Sequence, residues 1–194
     1  MRMWSKYATG AAFGGLCAVV ALVHGGCGGI VDEAAEKQFK QDLGTTSITV
    51  FPAAVRRDKV SYDPNAARQL GDFLKERKLA DATVSDADVP LTGPWHANEA
   101  KMWRESAAAL AAYVKDHPIQ TQYAVLPEYL FLGGKGTVGG VHVYVVDKDG
   151  RVAAGALLNS HHRPFADAKP KTVEDCTALL IKVIGDEWNA KPAP

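Results

Sequence analysis

The side chains able to do chemistry in this 194-residue chain are few and scattered. Gly133-Gly134-Lys135-Gly136-Thr137 has the residue types of a phosphate-binding loop. That motif needs four residues between its glycines, then Lys followed directly by Ser or Thr, and a helix whose first amides meet the phosphate. Here Gly136 separates Lys135 from Thr137 and a strand-like run follows, so the segment reads as a flexible hairpin loop. The histidines raise the question of a metal. With Asp149-Gly150 as a two-residue turn, His142 stands opposite Leu157 and His161 opposite Val138. That four-residue offset is about 13 Å at ~3.3 Å per residue, too far for one ion held by nitrogens at about 2.0–2.1 Å. His161 and His162 would point to opposite faces of a continuing strand, and His96 and His117 fall in loops, so neither a metal nor a cofactor is expected. Cys176 lies on the apolar stripe of a helix, the usual place of a small buried hydrophobe and not of a nucleophile. No serine sits in a Gly-x-Ser-x-Gly elbow. The paired acids Asp86/Asp88 and Asp147/Asp149 fall in turn-forming stretches, where Asp serves local hydrogen bonding. No catalytic residue is assigned. Three aromatics are candidate partner contacts: Trp95 in the loop Gly93-Pro94-Trp95-His96, and Tyr129 and Phe131, which share a strand face. The alternative is that each packs under its own loop or against a helix.

The N-terminal segment reads as a leader. Met1 to Tyr7 carries Arg2 and Lys6 and no acid, and Ala8 to Val23 is sixteen residues without a charged side chain. That run suits the core of a secretion signal better than a membrane span of about 20 apolar residues. Gly25-Gly26-Cys27-Gly28-Gly29 follows, small enough for a signal peptidase cleft. Gly26-Cys27 resembles the end of a bacterial lipoprotein signal, in which the cysteine thiol receives lipid. The position three before the cysteine, usually apolar in that motif, is His24. Lipidation at Cys27, cleavage to a free exported chain, and retention as an uncleaved anchor all remain open at this level. The 168 residues from Cys27 onward are enough for one domain with a core. The full chain has 22 basic and 22 acidic side chains; without Arg2 and Lys6 the balance is 20 against 22. There is no basic excess of the kind nucleic acid binding requires. Cys17 and Cys27 belong to the leader and its end, so Cys176 alone cannot form an internal disulfide framework.

Residues 1–27 are therefore leader, residues 28–45 a tether or short helix, and residues 46–190 a single α/β domain. Ser47 to Val55 reads as a first strand, stopped or held to an edge by Pro52. Asp63-Pro64 opens a helix, with Asp63 as cap and Pro64 where no amide is needed. Ala66, Leu70, Phe73 and Leu74 form its apolar stripe. A short strand at Ala82-Thr83-Val84 is followed by loop, then by a helix from about Ala97 to Lys115. Its stripe is Trp103, Ala107, Leu110, Ala111 and Val114. Tyr123 to Leu132 is a strand with a bulge or edge at Pro127. Gly133 to Gly140 is a glycine-rich connection, and Val141 to Val146 pairs back through Asp147-Lys148-Asp149-Gly150 to Arg151–Asn159. Thr172, with Asp175 as a capping-box variant, starts the last helix, which has Val173, Cys176, Leu180, Val183, Ile184 and Trp188 on one face. The predicted class is α/β (α+β), with a single sheet of four to five mixed strands and about three amphipathic helices. The predicted order is β-α-(β)-α-β-β-β-α.

With its lipoprotein-like leader, this order resembles the α/β domain of a group of bacterial envelope lipoproteins. The group includes the curli-secretion lipoprotein, the outer-membrane activators of penicillin-binding proteins and the amino-terminal domain of the Tol translocation protein. The corresponding pieces are Ser47-Ile48-Thr49-Val50-Phe51-Pro52, the helix from Asp63, the strand Tyr123-Ala124-Val125-Leu126, and the hairpin at Asp147-Lys148-Asp149-Gly150. The resemblance covers most of residues 46–188 as a pattern of elements. It implies a non-enzymatic envelope protein, tethered to the membrane through lipid, that binds or helps assemble an envelope protein or further copies of itself. The alternative expectation is a secreted hydrolase with an unrecognised site.

Overall fold

Two prolines decide how the sheet is built. The computed structural model of the protein describes residues 30–92, 98–133 and 136–188. Strands β1 (Ser47–Val50) and β2 (Ala53–Arg56) run one after the other along the same side of a long strand, Tyr123–Leu132. Both are parallel to it. Ile48 to Val50 stand opposite Tyr123 to Val125, and Ala54 to Arg56 opposite Glu128 to Leu130. Phe51 and Pro52 interrupt the first partner, and Pro127 falls in the matching gap of the long strand. A proline has no N–H to donate, so Pro127 sits where the parallel ladder is already broken.

β3 (Val60–Asp63) pairs antiparallel with β2, and β4 (Asp81–Val84), which follows α2 (Pro64–Glu76), pairs parallel with β1. The long strand is β5. Its other side pairs antiparallel with β6 (Thr137–Asp147), and β6 pairs with β7 (Val152–Asn159). Among the described residues the open sheet thus has seven strands, and four to five was an undercount: Ser47–Val55 is two strands, and Val60–Asp63 is an additional one. Pro127 lies inside the sheet and not at an edge; the irregularity in β5 comes later, between Leu130 and Phe131.

Five helices are described where three were expected. On one face, α2 and α5 (Val173–Trp188) cover Ile48, Val50, Val55, Val125, Val143 and Val145. α3 (Glu99–Asp116) covers the other face over Phe51, Ala54, Ala124, Leu126 and Tyr144. α4 (Arg163–Ala168) is a short turn before α5. The cap reading at α2 holds: Asp63 accepts hydrogen bonds from the Asn65 and Ala66 amides at 2.7 and 3.1 Å. Asp175 likewise accepts from the Lys171 and Thr172 amides, and its own amide donates to Thr172 Oγ1. α1 (Glu33–Asp42) lies in the stretch that would be a tether or a short helix, and it is a helix fixed to the body. Phe39 is buried edge-on between Tyr123 and Trp188.

The β6–β7 turn is one residue longer than the two-residue reading. The Gly150 amide donates to Asp147 O and the Asp147 amide to Arg151 O, both at 2.9 Å. Gly150 takes φ +72°, a conformation that favours glycine. An irregularity between Val145 and Val146 absorbs the extra residue, so His142 still stands opposite Leu157. The glycine-rich connection before β6 is shorter than expected, because β6 begins at Thr137. Gly139 and Gly140 are strand residues. A side chain at Gly140 would run into the Glu99 carboxylate, so this glycine leaves room for that side chain and does not form a turn.

Candidate functional site

The α3 face of the sheet carries a buried polar cluster that no sequence motif announces. β-strand side chains alternate between faces, so Arg56, Glu128, His142 and Tyr144, from three adjacent strands, all point toward α3. Glu128 and His142 are directly paired residues of β5 and β6. α3 contributes Glu99 from its first turn and Ser106 two turns later. Arg56, Ser106, Glu128, His142 and Tyr144 are buried, while Glu99 keeps partial access to solvent.

Arg56 donates to Glu128 Oε1 from Nε at 2.9 Å and from Nη2 at 2.7 Å. It also reaches Thr92 O at 3.3 Å and Ser106 Oγ at 3.4 Å. Ser106 Oγ in turn donates to Glu128 Oε1 at 3.3 Å. The other oxygen, Oε2, accepts from the Tyr144 hydroxyl and lies 3.4 Å from His142 Nδ1. His142 Nδ1 is 3.0 Å from the Tyr144 oxygen, and Nε2 is 2.8 Å from Glu99 Oε1. Asn159 Nδ2 donates to Glu99 Oε2 at 2.7 Å. Both imidazole nitrogens face oxygens that are best served by a donor, which is the pattern of an imidazolium. Two cations then balance two carboxylates.

The ionisation of each group follows. Burial alone would raise the Glu128 carboxyl, but His142, Arg56 and the Tyr144 hydroxyl bring it down to about 2. Burial alone would lower His142, but its hydrogen bonds to Glu128 and Glu99 and their charges hold it above its ordinary value. Burial and the Glu128 charge push the Tyr144 phenol well above its usual range, so it remains a donor. Among the described residues, no buried side-chain nitrogen or oxygen is without a hydrogen-bond partner. The cluster can hold the N-terminal half of α3 on the sheet and take up or release a proton at His142.

A pH dependence of stability is expected from this arrangement. His142 binds its proton more tightly folded than unfolded. Its contribution is complete below the unfolded value of about 6.5 and is lost as pH rises through the folded value. Glu128 acts in the opposite sense: its contribution is complete above about 4.3 and is lost as pH falls through about 2. Urea melts from about pH 5 to about pH 9 should show stability falling on the alkaline side by up to ~1.4 kcal/mol per pH unit. His142→Gln should flatten that limb. An unchanged limb in the variant would assign the slope to another group.

The other candidate residues are dispersed. Tyr129 and Phe131 do share a face, but it is the buried α2/α5 face, so neither is a surface contact and that expectation is corrected. The Tyr129 hydroxyl pairs with Thr177 Oγ1 of α5 at 3.0 Å, and the Arg57 guanidinium lies 4.5 Å from the Phe131 ring centre. β5 is covered on both faces, which is why its aromatics go inward. Trp95, His96, Lys135, the leader and Cys27 lie outside the described residues. Cys176 is buried, and burial pushes its thiol up to about 12. It belongs to the α2/α5 side, with the sheet between it and His142. His161 follows the end of β7 in a turn, and His117 caps α3. Among the described residues, no group of three or more His, Cys, Asp or Glu is placed to hold a metal ion. No helix among them is long and apolar enough to cross a membrane. Asp147 keeps to turn chemistry, accepting from the Asp149 and Arg151 amides at 3.0 and 2.8 Å.

No protein-family model matches the chain, and no curated protein matches it. Among solved structures it is similar to a PelC dodecamer from Paraburkholderia phytofirmans. The TM-score is 0.36 and the identity 15%, covering 72% of this chain and 85% of that one. A likeness of that size carries neither topology nor function across.

The sequence did hold one signal for the cluster. Glu128 interrupts an otherwise apolar strand, and His142 stands among valines in another. A charge in the middle of such a run needs a buried partner.

Proposed function

We propose that this chain is an exported cell-envelope protein, held to a membrane through lipid on Cys27, whose α/β domain binds or helps assemble an envelope partner and does not catalyse a reaction. The observation that carries this reading is the uncharged run Ala8–Val23 followed, after His24, by Gly25-Gly26-Cys27-Gly28-Gly29, ahead of a packed domain. Binding is favoured over hydrolysis because Cys176, Glu128 and His142 are enclosed. Cys176 is a buried thiol, and His142 and Glu128 are engaged with each other and with Glu99, Arg56 and Tyr144. The outer edge formed by β3 and β4, where Val84 is exposed, has no strand paired to it among the described residues and is the edge a partner would add to.

The experiment is the intact mass of the chain from membrane and soluble fractions. A chain beginning at Cys27 with a diacylglycerol-sized excess is expected in the membrane fraction. Cys27→Ala should abolish that excess and move the protein to the soluble fraction. An unmodified chain in the soluble fraction of the unaltered protein would remove the tether and restore the secreted hydrolase to consideration.

A further inference from the structure

The distance between the lipidation site and the first fixed residue of the body is short enough to orient the domain. Val31 forms a parallel bridge with Val152 at the start of β7, and the Asp32 amide donates to Val152 O at 2.9 Å. Asp32 also caps α1 by accepting from the Ala35 amide at 2.9 Å. The chain is therefore pinned at Val31–Asp32. From Cys27 to Val31 is four residues, which span at most about 14 Å when fully extended. Half the difference between a whole bilayer and its hydrocarbon core is about 5–8 Å, so the headgroups take up much of that reach.

We propose that the end of the domain bearing the β6–β7 turn lies against the phospholipid surface, and that the opposite end of the sheet points away from it. This rests on the lipid-anchor reading above. Val152 directly follows the turn Asp147–Arg151, so that turn is brought to the headgroups. The Lys148 amide donates to Gln122 O at 3.0 Å, and Gly150 abuts Ala111 and Lys115 of α3, so the last turns of α3 and the start of β5 share this end. Lys115, Lys148 and Arg151 are exposed there and suit phosphate headgroups. Asp149 and Asp116 lie among them, so covalent reach and not net charge sets the orientation.

The far end is defined by β5. Tyr123 stands opposite Asp147 at the turn, and Leu130 stands opposite Arg56 just before the β2–β3 turn at Arg57–Lys59. Seven strand residues separate these levels by about 23 Å. A partner arriving from the compartment would meet the β2–β3 turn first.

Lys148→Cys and Asp58→Cys place a single reactive thiol at each end, both on exposed residues. Cys27 would be blocked by lipid and Cys176 is buried. The full chain, purified from membranes and checked by mass for lipid on Cys27, is labelled with a fluorophore. It is then reconstituted into phosphatidylcholine/phosphatidylglycerol vesicles carrying a headgroup-attached spin-label quencher. Quenching at position 148 is expected to exceed that at position 58 at least about threefold, given the reach and strand lengths above. Equal or reversed quenching on a lipidated chain would overturn the orientation and leave the anchor standing. A chain without lipid on Cys27 would overturn both.

Discussion

Replacing Arg56 with methionine is expected to lower the unfolding free energy by about 3–5 kcal/mol, the usual loss when one partner of a buried ion pair is removed. Arg56 and Glu128 are both almost wholly excluded from water. Two of the bonds to Glu128 Oε1 come from Arg56, and with them gone that oxygen keeps, among the described residues, Ser106. The methionine fills most of the volume but returns none of the charge. Adding Glu128→Gln to Arg56→Met should recover part of the loss, because it removes the uncompensated charge while keeping a polar group for Tyr144 and Ser106. Urea unfolding with an unchanged m-value would measure both steps. A loss below about 1 kcal/mol for Arg56→Met would place the pair in the range of exposed ion pairs and contradict its role in docking α3.

The second large effect is expected at Phe39. Phe39→Ala should destabilise the protein by about 3–5 kcal/mol, which corresponds to a fall in Tm of roughly 10 °C for a chain of this size. The ring is buried, with centroids 4.9 Å from Tyr123 and 5.0 Å from Trp188, both in edge-on arrangements. Truncation leaves a void bounded by α1, β5 and the end of α5. Thermal unfolding of the variant would distinguish an integral helix from a tether, because a tether would lose nothing. The result also bears on the orientation proposed at the membrane. If α1 were loosely attached, the short reach from Cys27 to Val31 would position a loose segment and not the domain.

Much of the secondary structure was legible because it follows from local rules. The stripes of α2, α3 and α5 repeat at helical spacing, and Ala66, Leu70, Leu74, Trp103, Leu110, Cys176 and Leu180 are buried as those stripes require. Asp63-Pro64 marks a helix start because its cap and its missing amide are both local features. His142 does stand opposite Leu157 as the two-residue turn predicts, but only because the irregularity between Val145 and Val146 offsets the longer turn. Elsewhere, the same residue types served different ends. Gly139 and Gly140 resemble a turn signal, yet Gly140 makes room for Glu99. Pro127 suggests an edge, yet it sits inside the sheet.

By itself, the sequence determined an uncharged run near its N-terminus, a balanced charge, an α/β class and the faces of three helices, since each is written in composition or in the spacing of neighbouring residues. Only the tertiary structure decided that β1 and β2 share one side of β5. It also buried Tyr129 and Phe131, docked α1 and joined Arg56, Glu128, His142, Tyr144 and Glu99 into one cluster. Those outcomes depend on contacts between segments far apart in the chain: Arg56 and Glu128 are 72 residues apart and Tyr123 and Asp42 are 81 apart. Strands covered on both faces carry no alternation from which such pairing can be read.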